Sequence, residues 1–152
     1  MKIQHNITTV IKNLILFEIG GLIYNLIEML YRGNTHWTMF ILGGLCFVSI
    51  GLINNAFSWK NPIEIQCLIG GGIITLLEYI TGYIVNIKLG WNVWDYSNIP
   101  LNLQGQICLP FTVVWIVLSL FIIIIDDFLR WKFFKEDKPK YYSICLDITY
   151  EI

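Results

Sequence analysis

The hydrophobic residues of this chain occur in four long runs separated by short polar stretches. The runs cover approximately residues 10–31, 36–52, 63–87 and 106–128. Runs of about 20 apolar residues are typical of helices that cross a lipid bilayer. The pattern therefore predicts an all-α fold, an integral membrane bundle of four transmembrane helices. We expect a single membrane domain at 1–135 and a cytoplasmic tail at 136–152.

Polar positions inside the first and third runs are regularly spaced. In the first run they recur every three or four residues, at Glu18, Gly21, Asn25, Glu28 and Arg32. In the third run the same spacing gives Gly71, Thr75, Glu78, Gly82 and Asn86. Positions three and four apart share one face of a helix. Each of these two helices is therefore predicted to carry a polar stripe on an otherwise apolar surface.

The connections between the runs carry turn and capping signals. Residues 32–35 predict a tight turn, in which Thr35 is expected to cap the second helix. Residues 54–62 predict a polar connector, with Pro62 well placed for the first turn of the third helix. Residues 88–104 predict an aromatic loop. Pro110 lies in the first turns of the fourth helix, where it either starts the helix or kinks it.

Lysine and arginine are distributed unevenly between the two sides of the predicted bundle. The side on which both termini are predicted to lie has eight lysine and arginine residues. The opposite side has two, Arg32 and Lys88. Cytoplasmic segments of membrane proteins carry an excess of positive residues. The imbalance predicts a multi-pass protein of the plasma membrane with both termini in the cytoplasm. The turn at 32–36 and the aromatic loop then face outside.

Composition supports the membrane assignment and excludes some partners. The chain is 56% hydrophobic and 14% charged, whereas a soluble domain has about 25% charged residues. A net charge of −1 gives no general attraction to nucleic acid. The four cysteines have no metal-ligand spacing and are interpreted as small hydrophobic residues. No small-residue cleavage site follows the first run, which is expected to be retained as a helix.

Glutamates inside the apolar runs are the strongest candidates for function. A charge at the bilayer centre costs about 3 kcal/mol on insertion scales, so such residues face other helices or water. Glu28 can pair with Arg32, four residues later. Glu78 has no cation in its own run and is expected to pair with Arg32 or His36. A packing contact, a place in a solute or ion path, and a glutamate kept protonated by burial all remain open.

The predicted pocket for a substrate faces outward, between the first turn and the aromatic loop. Its candidate residues are Glu28, Arg32, His36, Glu78, Trp94, Asp95, Tyr96 and Gln106, and a deeper polar stripe adds Glu18, Asn25, Thr75 and Asn86. An aromatic belt at the membrane interface is the alternative for the tryptophans. Asp95 is alternatively a turn cap, and His36 a helix cap or a pH-sensitive group.

The inner end of the fourth helix carries the acid–base group Asp126, Asp127 and Arg130. It is interpreted either as a solvated helix end or as a docking point for a cytosolic partner. The sequence has no phosphate-binding loop, no H-E-x-x-H, no G-x-S-x-G and no C-x-x-C motif. We therefore predict no cofactor, no metal site and no catalytic residue, and enzymatic activity is not expected.

Several motifs together resemble one family. They are Arg32-Gly33-Asn34-Thr35-His36-Trp37, Gly43-Gly44-Leu45-Cys46-Phe47, Ile50-Gly51-Leu52-Ile53-Asn54, Glu78 with Thr81-Gly82 and Val85-Asn86, Val93-Trp94-Asp95-Tyr96-Ser97, Asn102 with Gly105-Gln106-Ile107-Cys108, and Asp126-Asp127 with Arg130. Over about residues 15–135 the chain resembles the small bacterial multi-pass proteins named putative ABC transporter permease, or ABC-transporter type IV. The resemblance implies a transport role, and because no ATP-binding segment is present, that role would need a separate ATPase subunit.

The predicted function is a transport or permease-like component of unknown substrate in the lipid bilayer. Four short spans are few for a permease acting alone, so a homo-oligomer or another membrane subunit is expected as partner. The alternative is a membrane interaction or scaffold protein without a solute path. A third, less favoured hypothesis is an intramembrane enzyme acting on lipid, with Glu78 or Asp95 as acid or base.

Overall fold

The computed structural model describes residues 2–53, 61–145 and 148–151, with side chains from residue 8 to residue 149 of these ranges. The described elements are α1 (Lys2–Arg32), α2 (Trp37–Gly51), α3 (Ile63–Gly82), a π-helical segment (Tyr83–Lys88), β1 (Asn102–Leu103), β2 (Ile107–Cys108), α4 (Leu109–Phe134), β3 (Lys140–Ser143) and β4 (Ile148–Glu151). Four helices dominate and the strands are short, so the predicted all-α fold is confirmed. The orientation of the termini stays a prediction.

Among the described residues, three helical segments are long and apolar enough to cross a membrane. They are Thr8–Arg32, Ile63–Lys88 and Leu109–Phe134. Helix α2 is also apolar but has 15 residues, about 22 Å at 1.5 Å per residue. A bilayer core is about 30 Å thick, so α2 is short for a complete span. The fourth helix differs at both ends from the predicted span 106–128. It starts at Leu109 and continues to Phe134.

The chain divides into two compact units, Met1–Ser49 and Ile50–Ile152. In the first, α1 and α2 cross at two glycine pairs, Gly20-Gly21 and Gly43-Gly44. A Cβ atom on Gly20 would overlap Phe47, and one on Gly43 would overlap Tyr24. The two backbones approach closely only because these positions lack a side chain. Glycine in these helices is therefore a packing requirement.

The second unit contains the antiparallel pair α3 and α4. Gly71 lies directly against the backbone of Ile116, and Gly70 lies against Ser119, which is fully buried. The hydroxyl of Thr75 donates to the carbonyl of Gly71 at 2.8 Å. Small residues on α3 bring α4 close enough for a hydrogen bond to cross the interface, from Nε1 of Trp115 to Glu78 at 2.8 Å. The triglycine stretch does not interrupt α3, which is helical throughout.

Beyond Gly82 the helix continues in the π form, and an irregular loop then returns the chain to α4. Strands β1 and β2 form a small antiparallel hairpin, with Leu103 opposite Ile107. Pro110 is in the first turn of α4, where its missing N–H costs no helical hydrogen bond. Pro110 was predicted either to start or to kink the fourth helix, and in the structure it starts the helix. Residues 106–108 are part of the hairpin and so precede the helix.

The tail forms a second antiparallel hairpin, in which Lys140 is opposite Glu151 and Ser143 is opposite Ile148. Helix α4 ends at Phe134, and the following residue, Lys135, adopts a left-handed conformation with φ +58°. Pro62 directly precedes α3, and its carbonyl accepts from the N–H of Gln66 at 3.2 Å. The predicted connector at 54–62 lies outside the described residues over 54–60.

Candidate functional site

Glu78 is a buried carboxylate within α3, with 1% of its surface exposed. Its Oε1 accepts a hydrogen bond from the hydroxyl of Tyr96 at 3.0 Å, and its Oε2 accepts one from Nε1 of Trp115 at 2.8 Å. The two donors come from the aromatic loop and from α4. The carboxylate therefore joins three separate segments of the second unit, and each of its oxygens has a donor.

An aromatic stack covers this carboxylate. The rings of Tyr96 and Phe111 are stacked, with centroids 4.7 Å apart and planes inclined by 17°. Phe111 in turn lies 6.0 Å from Trp115. Such contacts add about 0.5–1.5 kcal/mol to the burial of the rings. The stack fixes both donors in the positions from which they reach Glu78.

The aromatic loop is held by amide side chains. Nδ2 of Asn86 donates to Oε1 of Gln106 at 2.8 Å, and Oδ1 of Asn86 accepts from the N–H of Val93 at 2.7 Å. The indole N–H of Trp94 donates to the carbonyl of Gln106 at 2.9 Å. All three named side chains, Asn86, Trp94 and Gln106, are buried. These predicted site residues therefore shape the loop, whereas Tyr96 alone among the loop candidates contacts the Glu78 carboxylate in the described structure.

Gly105 fixes the position of Tyr96. Its carbonyl accepts from the N–H of Tyr96 at 2.7 Å. Its φ is +69°, and a Cβ atom there would lie 2.6 Å from Oδ1 of Asp95. Glycine is the residue that adopts this backbone conformation without strain. Asp95 itself accepts from the N–H and the hydroxyl of Ser97 at 2.8 and 3.0 Å, which is the turn-cap geometry and one of its two predicted roles.

The candidates on α1 form a cluster at the end of that helix. Arg32 and Glu28 make the expected ion pair, at 2.5 Å. The hydroxyl of Thr35 lies 2.7 Å from Oε2 of Glu28 and 3.0 Å from Oδ1 of Asn25. Thr35 therefore ties the turn back to α1 and does not cap α2 as expected. The proposed pairing of Glu78 with Arg32 or His36 stays a prediction.

His36 takes the capping role at the start of α2. Its Nδ1 lies 2.8 Å from the hydroxyl of Thr38 and accepts from the N–H of Thr38 at 3.4 Å. Since the backbone N–H donates, Nδ1 is the acceptor here. A cap was one of the interpretations of this histidine.

Two residues of the predicted deeper polar stripe have different surroundings. Glu18 is exposed, whereas the hydroxyl oxygen of Thr75 lies 3.4 Å from that of Thr112.

The acid–base group on α4 is buried, with Asp126 0%, Asp127 4% and Arg130 3% exposed. Nε of Arg130 donates to Oδ2 of Asp126 at 2.5 Å. Oδ2 of Asp127 accepts from the hydroxyl of Tyr141, on β3, at 2.9 Å. The burial contradicts the interpretation of this group as a solvated helix end. A docking role stays a prediction, and it would require movement of the tail hairpin.

Sequence reasoning missed two residues that join separate segments, Trp115 at the Glu78 site and Glu64 at the tail hairpin. Trp115 was not among the predicted site residues, although it is the second donor to Glu78. Glu64 was not considered, yet it accepts from the hydroxyl of Ser143 at 2.5 Å and from the N–H of Cys145 at 3.2 Å. An indole in an apolar helix needs a partner for its N–H, and this requirement was the available signal. The described residues contain no cluster of three metal-ligating side chains.

Long apolar helices that enclose paired polar side chains define this chain as a helical membrane protein. Residues 13–150 match the model of the family described as "Putative ABC-transporter type IV". The chain belongs to that family, as its motifs predicted. No solved structure matches the chain.

Proposed function

We propose that the chain is a multi-pass subunit of an ATP-driven transporter in the plasma membrane. Membership of a family with a transporter description supports this role, as do three helices of spanning length. A second copy of the chain or another membrane subunit would supply the further helices that a solute pathway needs.

One observation carries the proposal, the buried carboxylate of Glu78 in the interior of a candidate span. Ionisable residues inside spans commonly mark solute or ion pathways. One of its donors, Tyr96, lies on a loop and not on a helix. A loop movement that withdraws this hydroxyl would free Oε1 to accept from an ammonium or hydroxyl group of a solute. The loop then controls access to the carboxylate.

The energy for transport would come from a separate subunit. The sequence contains no phosphate-binding loop for ATP. Purification of the tagged chain from its native membranes should yield a complex that hydrolyses ATP. A chain that is purified from those membranes without ATP hydrolysis would contradict this part of the proposal.

The transport role is tested most broadly by the solute content of cells. Cells that contain the chain and its ATPase should differ from matched cells lacking the chain in the level of at least one small solute, as measured by mass spectrometry and elemental analysis. Energised vesicles from the same cells should then accumulate or lose that solute in an ATP-dependent manner. Identical solute profiles in the two kinds of cell would contradict a transport role.

A scaffold role is the second candidate, and the completeness of the Glu78 contacts favours it. Both carboxylate oxygens accept from side chains of other segments, as a purely structural link would require. In that case Glu78→Gln would lower the thermal stability and leave every solute level unchanged. A loss of ATP-dependent solute movement in a variant of normal stability would exclude this candidate.

A further inference from the structure

The buried ion pair on α4 is incomplete in the part of the chain that the structure describes. Nε of Arg130 is bound to Oδ2 of Asp126, but Oδ1 of Asp126 and both terminal nitrogens of Arg130, Nη1 and Nη2, have no hydrogen-bond partner among the described residues. Glu136 places Oε1 3.8 Å from Nη1, which is beyond hydrogen-bond distance. Three strongly polar atoms of one pair are therefore enclosed without a hydrogen-bond partner among the described residues.

Such an arrangement is costly unless another group completes it. A buried donor or acceptor left unsatisfied costs about 1–3 kcal/mol, and more when the group is charged. In folded proteins the great majority of buried polar groups form a hydrogen bond to a protein atom or to an ordered water molecule. Since no described residue completes the Asp126–Arg130 pair, a ligand that completes it must hydrogen-bond to both of its members.

The chemistry of the pair restricts that ligand. It must accept from the guanidinium of Arg130 and donate to the carboxylate of Asp126. A simple anion cannot donate and would be repelled by Asp126 and by the neighbouring Asp127. A metal cation cannot accept and would be repelled by Arg130. A water molecule accepts and donates at once, and it is the smallest ligand that does so.

We propose that bound water completes the Asp126–Arg130 pair, in a site that the tail hairpin closes. Tyr141, on β3, is buried and donates to Asp127, the neighbour of Asp126. On the other helix, Glu64 accepts from Ser143 of the same strand. The hairpin is thus attached to both α3 and α4 beside the ion pair. Water at this site exchanges with the solvent only when the hairpin opens.

Gly51 forms another wall of the site. A Cβ atom on this residue would overlap the carboxyl group of Asp126. The absence of a side chain therefore leaves room for Asp126 and for the water that binds its Oδ1. Gly51→Ala should displace the carboxylate or the water and loosen the pair.

The chain offers a direct test because it has two arginines, Arg32 and Arg130. Labelling arginine with nitrogen-15 in the full chain in lipid bilayers gives two sets of guanidinium signals in solid-state NMR, and Arg32→Lys assigns them. We expect the Nη signals of Arg130 to show magnetisation transfer from water that exchanges slowly with the bulk. Nη signals that show no transfer from water would overturn the proposal. So would signals that shift on addition of inorganic phosphate, because an anion would then be the ligand.

The role of the tail hairpin in closing the water site is tested separately with Tyr141→Phe. This substitution removes only the hydroxyl that donates to Asp127. Water at Arg130 should then exchange at least several times faster, while Tyr142→Phe on the same strand should leave the exchange rate unchanged. Equal exchange rates in the two variants would overturn the role of the hairpin as a cover. Circular dichroism of both variants establishes that the helices are retained.

Discussion

At the scale of single residues, the account depends on the hydrogen bonds of one carboxylate. Glu78 could be selected from the sequence because an acidic residue within an apolar run is unusual. Its donors could not be selected, since Tyr96 and Trp115 lie 18 and 37 residues away along the chain. Contacts at such separations are decided by packing of whole segments, and a stripe on one helix contains no information about them. The Glu28–Arg32 pair, four residues apart, was predictable for the opposite reason.

Trp115→Phe should destabilise the protein by about 1–3 kcal/mol, because it leaves Oε2 of the buried Glu78 without this donor. The melting temperature of the purified protein in detergent measures the change. Trp91→Phe is the matched control, since Trp91 is 45% exposed, and its effect should be within about 0.5 kcal/mol. Equal losses in the two variants would show that the bond from Trp115 to Glu78 contributes nothing specific.

Gly105→Ala should disturb the position of Tyr96 without disturbing the helices. The alanine would be strained at φ +69° and its Cβ would press on Asp95. We expect faster amide hydrogen exchange in residues 91–106, measured by mass spectrometry. Gly90→Ala is a useful comparison, because it carries the same strain at φ +68° with nothing within 4 Å of the new Cβ. A loop that is as protected in Gly105→Ala as in the unmodified protein would contradict this role.

At the scale of elements, glycine decides how closely the helices approach. The sequence indicated close packing at the glycine pairs, but it did not indicate which residue each glycine meets. In the structure, α1 and α2 repeat one motif, aromatic-x-x-Gly-Gly-x-x-aromatic, over 17–24 and 40–47. The aromatic residues of each helix cover the glycines of the other. The π-helical segment and the tail hairpin were not predicted, because neither produces an apolar period that a sequence pattern reveals.

Two adjacent glycines of α3 provide a controlled comparison. Gly71→Ala should destabilise the protein by about 1–3 kcal/mol, because the new methyl group meets the backbone of Ile116. Gly72→Ala meets nothing within 4 Å and should be neutral, or stabilising by up to about 1 kcal/mol, because alanine favours the helix. Thermal unfolding of the two variants in the same detergent decides the matter. A larger loss in Gly72→Ala would contradict the helix packing described here.

At the scale of the whole molecule, the apolar pattern predicted the helical fold and membrane location well. It did not resolve that α2 is short for a span or that α4 extends through its charged end to Phe134. Charged residues usually end a span, but here the tail hairpin buries Asp127 through Tyr141. The helix therefore runs past the position at which the apolar run ends.

The predicted orientation can be measured on the unmodified protein. Cys145 is exposed, whereas Cys46, Cys67 and Cys108 are buried. If the termini are cytoplasmic, a membrane-impermeant maleimide should label Cys145 in inside-out vesicles and fail to label it in intact cells. Cys145→Ser should abolish the labelling. Labelling of Cys145 from outside intact cells would reverse the orientation and place the aromatic loop in the cytoplasm.

The most direct test of the central claim compares two glutamines on one helix. Glu78→Gln and Glu64→Gln each remove one carboxylate from α3, the first beneath the aromatic loop and the second beside the tail hairpin. The measurement is the initial rate of ATP-dependent solute movement in energised vesicles, at equal amounts of folded protein. The account predicts a loss of at least tenfold for Glu78→Gln and a rate within about twofold of the unmodified protein for Glu64→Gln. An unchanged rate in Glu78→Gln would contradict the account and leave Glu78 as a packing residue.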